Sequence, residues 1–343
     1  MFIDHIELEG FRNYRRSAAH FSRDINVITG RNAQGKTNLL EALYLICAGR
    51  SFRARSDKEL LHFDSDFARV LAVGEADSRT KKIDVTIRRG RRREMLLNGV
   101  KLKTAGELAG NFTAVLFCPD DLDIIRGGAS ERRKLMDMCI SQLRPRYAAA
   151  LHEFNKAYEG KTRILRDAEE KPSLFPLLEE YDFRLAQMSA ELIHYRAHFV
   201  HRLAPEAAKI HGEFSGGEEL SIQYTTIKTI DDPLKPASEL LPLILEHQEK
   251  HKAAEIASGL CLTGAHKDDL DISINGSAAR SFASQGQTRT AALSMKLAEL
   301  EIHKSQRWEY PLLLLDDVLS ELDAGRQDFI LNRIGGGQVF ITC

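Results

Sequence analysis

A glycine-containing loop near the start of the chain restricts the possible folds more than any other sequence feature. Gly30-Arg-Asn-Ala-Gln-Gly-Lys-Thr37 has the spacing of a phosphate-binding loop and stands between a β-rich run, Ile25–Thr29, and an apolar helical stripe that begins at Leu39. Glycines let backbone N–H groups point at a phosphate, and a helix start adds partial positive charge. We expect Lys36 to contact the β- and γ-phosphates and Thr37 to bind Mg²⁺. A chance match in a glycine-containing turn is the alternative, but the flanking pattern favours nucleotide binding.

A second element of the same chemistry lies far along the chain. Leu312–Leu315 is a run of four leucines followed directly by Asp316 and Asp317. A buried parallel strand that ends in carboxylates suits Mg²⁺–nucleotide chemistry, which takes place at the carboxyl ends of strands in open α/β sheets. We expect Asp316 to hold the ion through water and Asp317 to orient the attacking water. A core strand followed by a helix cap is the alternative.

The distance along the chain between these two elements predicts a large insertion. Thr37 and Asp316 are 279 residues apart, too far for a compact P-loop kinase or GTPase. Residues 1–125 and 259–343 have mixed α/β texture, whereas residues 126–258 have helical periodicity. The predicted fold is an α/β sheet domain interrupted by a mainly helical lobe. Seven prolines are expected to break the helices of that lobe: Pro145, Pro172, Pro176, Pro205, Pro233, Pro236 and Pro242.

A third loop, Ala283-Ser-Gln-Gly-Gln287, precedes a helical stretch shortly before the acidic strand. A Ser hydroxyl and Gly amides at a helix start can form a second phosphate site. The loop resembles the signature loop of ABC-type ATPases, which reads Leu-Ser-Gly-Gly-Gln in transporters and faces the γ-phosphate held by another subunit. A plain helix cap is the alternative, because Ser before a helix is common. Ser320-Glu-Leu-Asp323 occupies the place of the D-loop in that group.

Several further blocks occur in a fixed order along the whole chain. They are Phe11-Arg-Asn-Tyr14, Gly30 to Asn38, Phe117-Cys-Pro-Asp-Asp-Leu122, Arg126 to Arg133, Thr263-Gly-Ala-His-Lys-Asp-Asp269, Ser284-Gln-Gly-Gln287 and Leu313 to Asp323. With these blocks the chain resembles the RecF family, bacterial recombination mediators of the SMC-like group of ABC ATPases. The fold class implied is an ABC-type P-loop ATPase head with an inserted helical lobe.

The resemblance implies a function in recombinational DNA repair and replication restart, linked to the SOS response to DNA damage. It implies ATP-dependent dimerisation on double-stranded DNA at gaps or single-/double-strand junctions, and cooperation with RecR and RecO in loading RecA on single-stranded DNA. ATP and Mg²⁺ are the implied ligands, with slow, DNA-stimulated hydrolysis that acts as a switch. The residues expected at the nucleotide are Gly30, Arg31, Asn32, Ala33, Gln34, Gly35, Lys36, Thr37, Asn38, Ser284, Gly286, Gln287, Ser320 and Asp323.

Two departures from the wider ABC pattern are visible. Asp317 stands where many ABC ATPases have Glu, and its shorter side chain is consistent with sluggish hydrolysis. RecF proteins share this Asp, and we expect Asp317 and Lys36 to be the catalytic residues. The chain also stops at Cys343, just where a switch residue after the last strand is expected, so the extreme C-terminus could be missing.

Positive charge is concentrated in one segment. Arg79–Lys103 contains ten basic residues against Asp84 and Glu94, although the whole chain has a net charge of only −1. A basic hairpin with few aromatic residues suits phosphate contacts rather than base stacking. A solvated charged ribbon is the alternative. The residues expected to contact DNA are Arg88, Arg89, Arg91, Arg92 and Arg93.

Other features exclude some classes of protein. Five widely spaced cysteines form neither a disulfide framework nor a zinc site, and no uncharged apolar run approaches the ~20 residues that span a membrane. We therefore expect a cytoplasmic protein, and the resemblance to DNA-binding recombination mediators implies that it is nucleoid-associated. A transporter ATPase subunit would lack the basic segment, and a chromosome-organising protein would need a longer, proline-free insertion. A metabolic P-loop kinase would give no reason for the Ser284 loop.

Overall fold

The structure is a computed structural model that describes residues 1–31, 34–167 and 174–343. Asn32 and Ala33 of the phosphate loop, and the proline at position 172, lie outside the described residues. The strands are β1 (Phe2–Phe11), β2 (Tyr14–His20), β3 (Ile25–Ile28), β4 (Phe67–Ala76), β5 (Arg79–Arg88), β6 (Glu94–Leu97), β7 (Val100–Lys101), β8 (Ala114–Phe117), β9 (Leu220–Thr225), β10 (Asp269–Ile274), β11 (Ser277–Ala278), β12 (Leu312–Leu315) and β13 (Val339–Thr342).

The helices include both long elements and single turns. They are α1 (Lys36–Ala48), α2 (Ala105–Leu108), α3 (Asp123–Arg126), α4 (Ala129–Leu143), α5 (Pro145–Asp167), α6 (Phe175–Ser215), α7 (Ala237–Ser258), α8 (Ala279–Phe282), α9 (Gln285–Arg307) and α10 (Ala324–Arg333). In the part of the chain that the structure describes, no helix is both long enough and apolar enough to cross a membrane.

The chain forms two compact units. The first unit contains Met1–Asp121, Ser141–Pro145 and Met295–Cys343, and the second contains Leu122–Ile140 and Arg146–Ser294. The mixed α/β class predicted from the sequence is confirmed, since the first unit holds two sheets and α1 while the second is mainly helical.

The first unit contains a parallel sheet of four strands in the order β3-β13-β12-β8. Every residue of β8, β12 and β13 is buried. Their largely apolar sequences are typical of parallel strands in a sheet that is covered on both faces. β13 pairs with β3 from Val339 to Thr342 on one side, and with β12 from Val339 to Ile341 on the other. The carboxyl ends of β3 and β12 therefore lie at the same edge, separated by one strand.

An antiparallel sheet in the order β2-β1-β4-β5-β6-β7 completes the first unit. Along β1, Ile6 and Leu8 are buried while Glu7 and Glu9 are exposed, which is the alternation of a sheet with one solvated face. The hairpin predicted at Asn98-Gly99 is confirmed between β6 and β7. Both turn residues have positive φ, 50° and 82°, as a two-residue hairpin turn of this kind requires.

In the second unit the helices run through some of the predicted breaks. Pro145 and Pro176 stand at the starts of α5 and α6, where a missing N–H costs nothing. Pro205 and Pro242, however, lie inside α6 and α7, so the predicted breaks there were wrong. A proline lacks the N–H that would bond to the carbonyl four residues earlier, which here belongs to residue 201 or 238. Both prolines and both of these residues are exposed, so water can hydrate the two carbonyls instead. The 41-residue α6 is consequently about 60 Å long.

A buried charge network joins sequence-distant segments within the second unit. Arg196 is 2% exposed and pairs with Asp137 at 2.8 Å and with Asp268 at 2.7 Å. Asp268 also accepts hydrogen bonds from Tyr224 and Thr226 at 2.5 and 2.7 Å. Since buried charges are tolerated only when paired, these bonds fix α6 against the segment that leads into β10.

The division into units differs from the predicted domains in three places, two of them short: residues 122–125 belong to the second unit and residues 141–145 to the first. Residues 259–294 were predicted to belong with the C-terminal part of the ATPase head, but they pack in the second unit. β10 pairs with β9 along its whole length, from Asp269–Thr225 to Ile274–Leu220. Arg132 also forms a bidentate pair with Asp269 at 2.6 and 2.9 Å. Strand pairing and this ion pair therefore place the segment in the second unit, although its α/β sequence pattern resembles that of the first. The chain returns to the first unit at Met295.

Candidate nucleotide site and basic hairpin

The phosphate loop leaves β3 and enters α1. Gly35 precedes the helix with φ of 100°, and a Cβ at this position would lie 2.5 Å from the side chain of Asn13. Only glycine fits both restraints without strain. Lys36 is 8% exposed, and its Nζ donates to the Gly30 carbonyl at 2.8 Å. Its ammonium is therefore held at the mouth of the loop.

Asn13 and Tyr14 hold the outer side of this loop. Asn13 Nδ2 donates to the Gln34 carbonyl at 3.0 Å, and Asn13 Oδ1 accepts from Asn38 at 2.8 Å. The Tyr14 hydroxyl donates to the Gly35 carbonyl at 3.0 Å. Burial raises the pKa of Tyr14, which keeps the phenol protonated as a donor. In the sequence these two residues stood out only as part of the block Phe11-Arg-Asn-Tyr14. Their contacts show that this block supports the phosphate loop.

Glu41 is a buried carboxylate on α1 that sequence reasoning missed. It accepts from Arg12 at 2.7 Å and from Arg53 at 3.1 Å, and Arg53 also donates to Asn38 at 2.7 Å. Burial opposes ionisation, but hydrogen bonds from Arg12 and Ser51 hold the pKa of Glu41 below its usual range. This carboxylate therefore links three separate segments around the first turns of α1. Its spacing on a helix carries no distinctive sequence signal.

The predicted meeting of the phosphate loop and the acidic strand end is present. Thr37 Oγ1 donates to Asp316 Oδ1 at 2.8 Å, and Thr342 Oγ1 approaches the same oxygen at 3.0 Å. Asp316 is 6% exposed, and burial raises its pKa against the effect of these two hydrogen bonds. A buried carboxylate whose pKa is raised gains from a nearby cation. Its oxygens and the Thr37 hydroxyl are hard ligands of the kind that Mg²⁺ prefers.

Asp317 has an unusual backbone conformation next to this pair. Its φ is 53°, which is uncommon for a residue other than glycine, and its N–H donates to Thr342 Oγ1 at 2.9 Å. Strained residues of this kind cluster at functional sites. Thr342, at the end of β13, thus contacts both acidic residues and is a second residue that sequence reasoning did not select.

The D-loop residues have local structural partners. Ser320 Oγ donates to the Asp317 carbonyl at 2.7 Å, and the Asp323 side chain caps α10 by accepting from the Arg326 N–H at 3.0 Å. These bonds place the loop directly after the acidic strand end. Contact of Ser320 and Asp323 with a nucleotide stays a prediction.

The Ser284 loop lies in the second unit and forms a capping box. Ser284 Oγ accepts from the Gln287 N–H at 3.2 Å, while Gln287 Oε1 accepts from the Ser284 N–H at 2.9 Å. Gln287 Nε2 also donates to Glu218 at 2.7 Å. The cap that the sequence offered as an alternative is present, and Ser284 itself is exposed at the start of α9. Binding of a phosphate by Ser284 and Gly286 stays a prediction.

The five arginines of the predicted DNA surface have different environments. Arg88 pairs with Glu94 at 2.8 Å and Arg89 with Asp66 at 3.0 Å, both in solvent, and Arg91 and Arg92 are exposed. Arg93 is only 14% exposed. It pairs with Asp57 and donates to the Gly49 carbonyl at 2.6 Å, at the end of α1. The Arg93 guanidinium therefore stabilises the end of α1, whereas the other four arginines have exposed side chains.

The chain matches the family model of the RecF/RecN/SMC N-terminal domain over residues 2–343. A protein of Acetivibrio thermocellus named DNA replication and repair protein RecF is 39% identical over the whole chain and 93% of that relative. The protein of the same name from Clostridium acetobutylicum is 37% identical, again over the whole chain and 93% of the relative.

Solved structures agree with this assignment. One described as the recombination mediator protein RecF-ATPrS in the RecFOR pathway has a TM-score of 0.93 and 36% identity, over 100% of this chain and 92% of that one. An Smc head domain from Pyrococcus furiosus, at 18% identity and a TM-score of 0.53 over 100% and 89% of the chains, shares the fold. The predicted fold class, an ATPase head with an inserted helical lobe, is thereby confirmed. The chain belongs to the RecF family.

Proposed function

We propose that this protein is an ATP-dependent DNA-binding protein of DNA replication and recombinational repair. The observation that carries the proposal is the 2.8 Å contact between Thr37 and Asp316, which joins a phosphate loop to an acidic strand end. The names of the relatives support the repair role, and one of the similar structures is described as RecF-ATP.

The residues present fit ATP and Mg²⁺. The loop amides before α1 and the Lys36 ammonium would bind the phosphates, while Thr37 and Asp316 would hold the ion. When bound, Mg²⁺ supplies positive charge beside the β- and γ-phosphates. Asp317, whose N–H is fixed by Thr342, would orient the attacking water. Hydrolysis is proposed to be slow and to act as a switch.

Lys36→Met should abolish ATP binding or weaken it severely, because the phosphates lose their compensating ammonium. The fold should survive, since the Lys36 side chain contacts only loop carbonyls among the hydrogen-bond partners described. Titration of a fluorescent ATP analogue measures the effect, with Lys58→Met on the exposed surface as the control. An unchanged ATP affinity in Lys36→Met would overturn the phosphate-loop assignment.

We further propose that ATP brings two copies of the chain together. Ser284, Gly286 and Gln287 of one copy, with Ser320 and Asp323, would complete the site around the nucleotide held by Lys36 of the other. A γ-phosphate adds charge that the start of α9 can bind and that ADP lacks. ATP would then favour the dimer through its higher affinity for that state, and hydrolysis would release it.

Ser284→Arg should leave ATP binding to the single copy nearly intact while blocking ATP-dependent dimerisation. Mixing Ser284→Arg with Lys36→Met chains should restore one composite site per heterodimer, since each chain supplies the group that the other lacks. Sedimentation velocity with ATP, ADP and no nucleotide distinguishes these states. A wild-type chain that stays monomeric with ATP, Mg²⁺ and DNA well above micromolar concentration would contradict the clamp, but not the nucleotide site.

The basic hairpin formed by β5, β6 and β7 is proposed to contact DNA phosphates. Arg88, Arg89, Arg91 and Arg92 are exposed there, and the two pairs with Glu94 and Asp66 are in solvent. Such exposed pairs are weak, so phosphates can compete for the guanidinium groups. Following the resemblance to the family, we propose gaps or single-/double-strand junctions as the DNA. RecR and RecO are the proposed partners in loading RecA, within the SOS-linked response.

Changing these four arginines to Gln should weaken DNA binding for every sequence and flatten its salt dependence. For duplex DNA, the slope of log K against log salt decreases by about 0.9 for each phosphate that the variant no longer neutralises. The matched control removes four exposed cations elsewhere: Lys156, Arg166, Arg184 and Lys250. Arg93→Gln should instead lower stability by about 1–3 kcal/mol and keep the slope. If the fourfold variant keeps the wild-type slope, the hairpin is only a solvated surface.

A further inference from the structure

Three metal-ligating side chains lie together where β1 begins and β2 ends, in the first unit. A β-bulge in β1 makes this possible: Ile3 pairs with Gly74 of β4 and His5 with Val73, so Asp4 is an extra residue. Ile3 and Ile6 are both buried, and the two residues between them, Asp4 and His5, both face outward. A bulge re-aims a side chain in this way, whereas a regular strand would turn consecutive residues to opposite faces.

Gly74 lies opposite the bulge, where β4 and β1 approach closely. A Cβ on Gly74 would lie 2.2 Å from the Phe2 carbonyl, so no other residue allows β4 to approach β1 so closely. The outward placement of Asp4 beside His5 is thus fixed by the backbone of the sheet rather than by mobile side chains.

The third side chain comes from the neighbouring strand. His20 of β2 is the register partner of His5, and the Phe21 N–H donates to the Asp4 carbonyl at 2.8 Å. Because Asp4 and Phe21 are thereby the hydrogen-bonded pair, His5 and His20 form the non-hydrogen-bonded pair, in which side chains lie closer. The two imidazole centroids are 5.2 Å apart.

The donor atoms of these side chains are close enough for one ion. One atom from each of Asp4, His5 and His20 lies within 4.8 Å of the others, and Asp4 Oδ2 is 3.3 Å from His5 Nδ1. Two ligands of a tetrahedral Zn²⁺ are about 3.3 Å apart, given bonds of about 2.0 Å. To complete the set, the His20 ring nitrogen, which lies within 4.8 Å of the other two ligand atoms, must move to about this spacing.

We propose that Asp4, His5 and His20 form a binding site for a divalent transition-metal ion of the Zn²⁺ type. Two imidazoles and one carboxylate suit such ions and disfavour Mg²⁺ and Ca²⁺, which prefer oxygen ligands. Three protein ligands leave one coordination position for water. The site uses none of the residues proposed to bind ATP or DNA. An ion shared by both strands would tie the edge strand β2 to β1 and stabilise the first unit.

Isothermal titration of the metal-free full-length chain with Zn²⁺ tests the proposal. Histidine pairs one helical turn apart, His194/His198 and His247/His251, are competing sites, so the measurement is made in a His194→Asn/His247→Asn background. We expect one equivalent of Zn²⁺ to bind in that background and a rise in Tm with Zn²⁺. The equivalent should be lost in His5→Asn/His20→Asn and retained in the control variant His62→Asn.

Asp4→Asn supplies a test in which folding is not at stake, since Asp4 is exposed. Its Zn²⁺ affinity should fall at least about tenfold, because even residues that only orient a ligand contribute that much. Anomalous diffraction at the zinc edge should place the ion between His5 and His20. The proposal would be overturned if His5→Asn/His20→Asn bound Zn²⁺ with unchanged stoichiometry and affinity. It would also be overturned if the diffraction placed zinc only at other positions.

Discussion

The candidate site depends on one constraint, the insertion of β13 between β3 and β12 in the parallel sheet. This pairing brings the phosphate loop and Asp316 to the same sheet edge, although Thr37 and Asp316 are 279 residues apart in the chain. The strand also carries Thr342, whose hydroxyl contacts Asp316 and accepts from the Asp317 N–H. The residues of this site therefore come from both sides of the second unit in the sequence. The order of the strands in the sheet determines which of them lie close together.

Around this edge, polar contacts fix groups that a phosphate site needs in advance. Asn13 and Tyr14 hold carbonyls of the phosphate loop, and Glu41 gathers Arg12 and Arg53 at the first turns of α1. Prepositioned dipoles and charges cost no reorganisation when a ligand arrives. Paired charges also fix side chains in the second unit, where Arg196 forms buried ion pairs with Asp137 and Asp268.

The sequence predicted those features whose causes are local. Four consecutive leucines before Asp316 became a buried parallel strand, and Asn98-Gly99 became a hairpin turn because both residues tolerate positive φ. Features set by tertiary contacts were missed. Pro205 stays inside α6 because its exposed face lets water satisfy the carbonyl it frees, and Arg93 is withdrawn from the charged surface by Asp57. The bulge at Asp4 lies where β1 approaches Gly74, a residue 70 positions away.

We propose that Thr37 and Asp316 belong to a single Mg²⁺–nucleotide site. The most direct test is ATP affinity as a function of Mg²⁺ concentration for the wild-type chain, Asp316→Asn and the neighbouring control Asp317→Asn. We expect Mg²⁺ to strengthen ATP binding to the wild type and to Asp317→Asn. Asp316→Asn should lose most of this gain while keeping its affinity for ATP in the presence of a chelator. A Mg²⁺ dependence in Asp316→Asn equal to that of the wild type would show that Asp316 does not hold the ion.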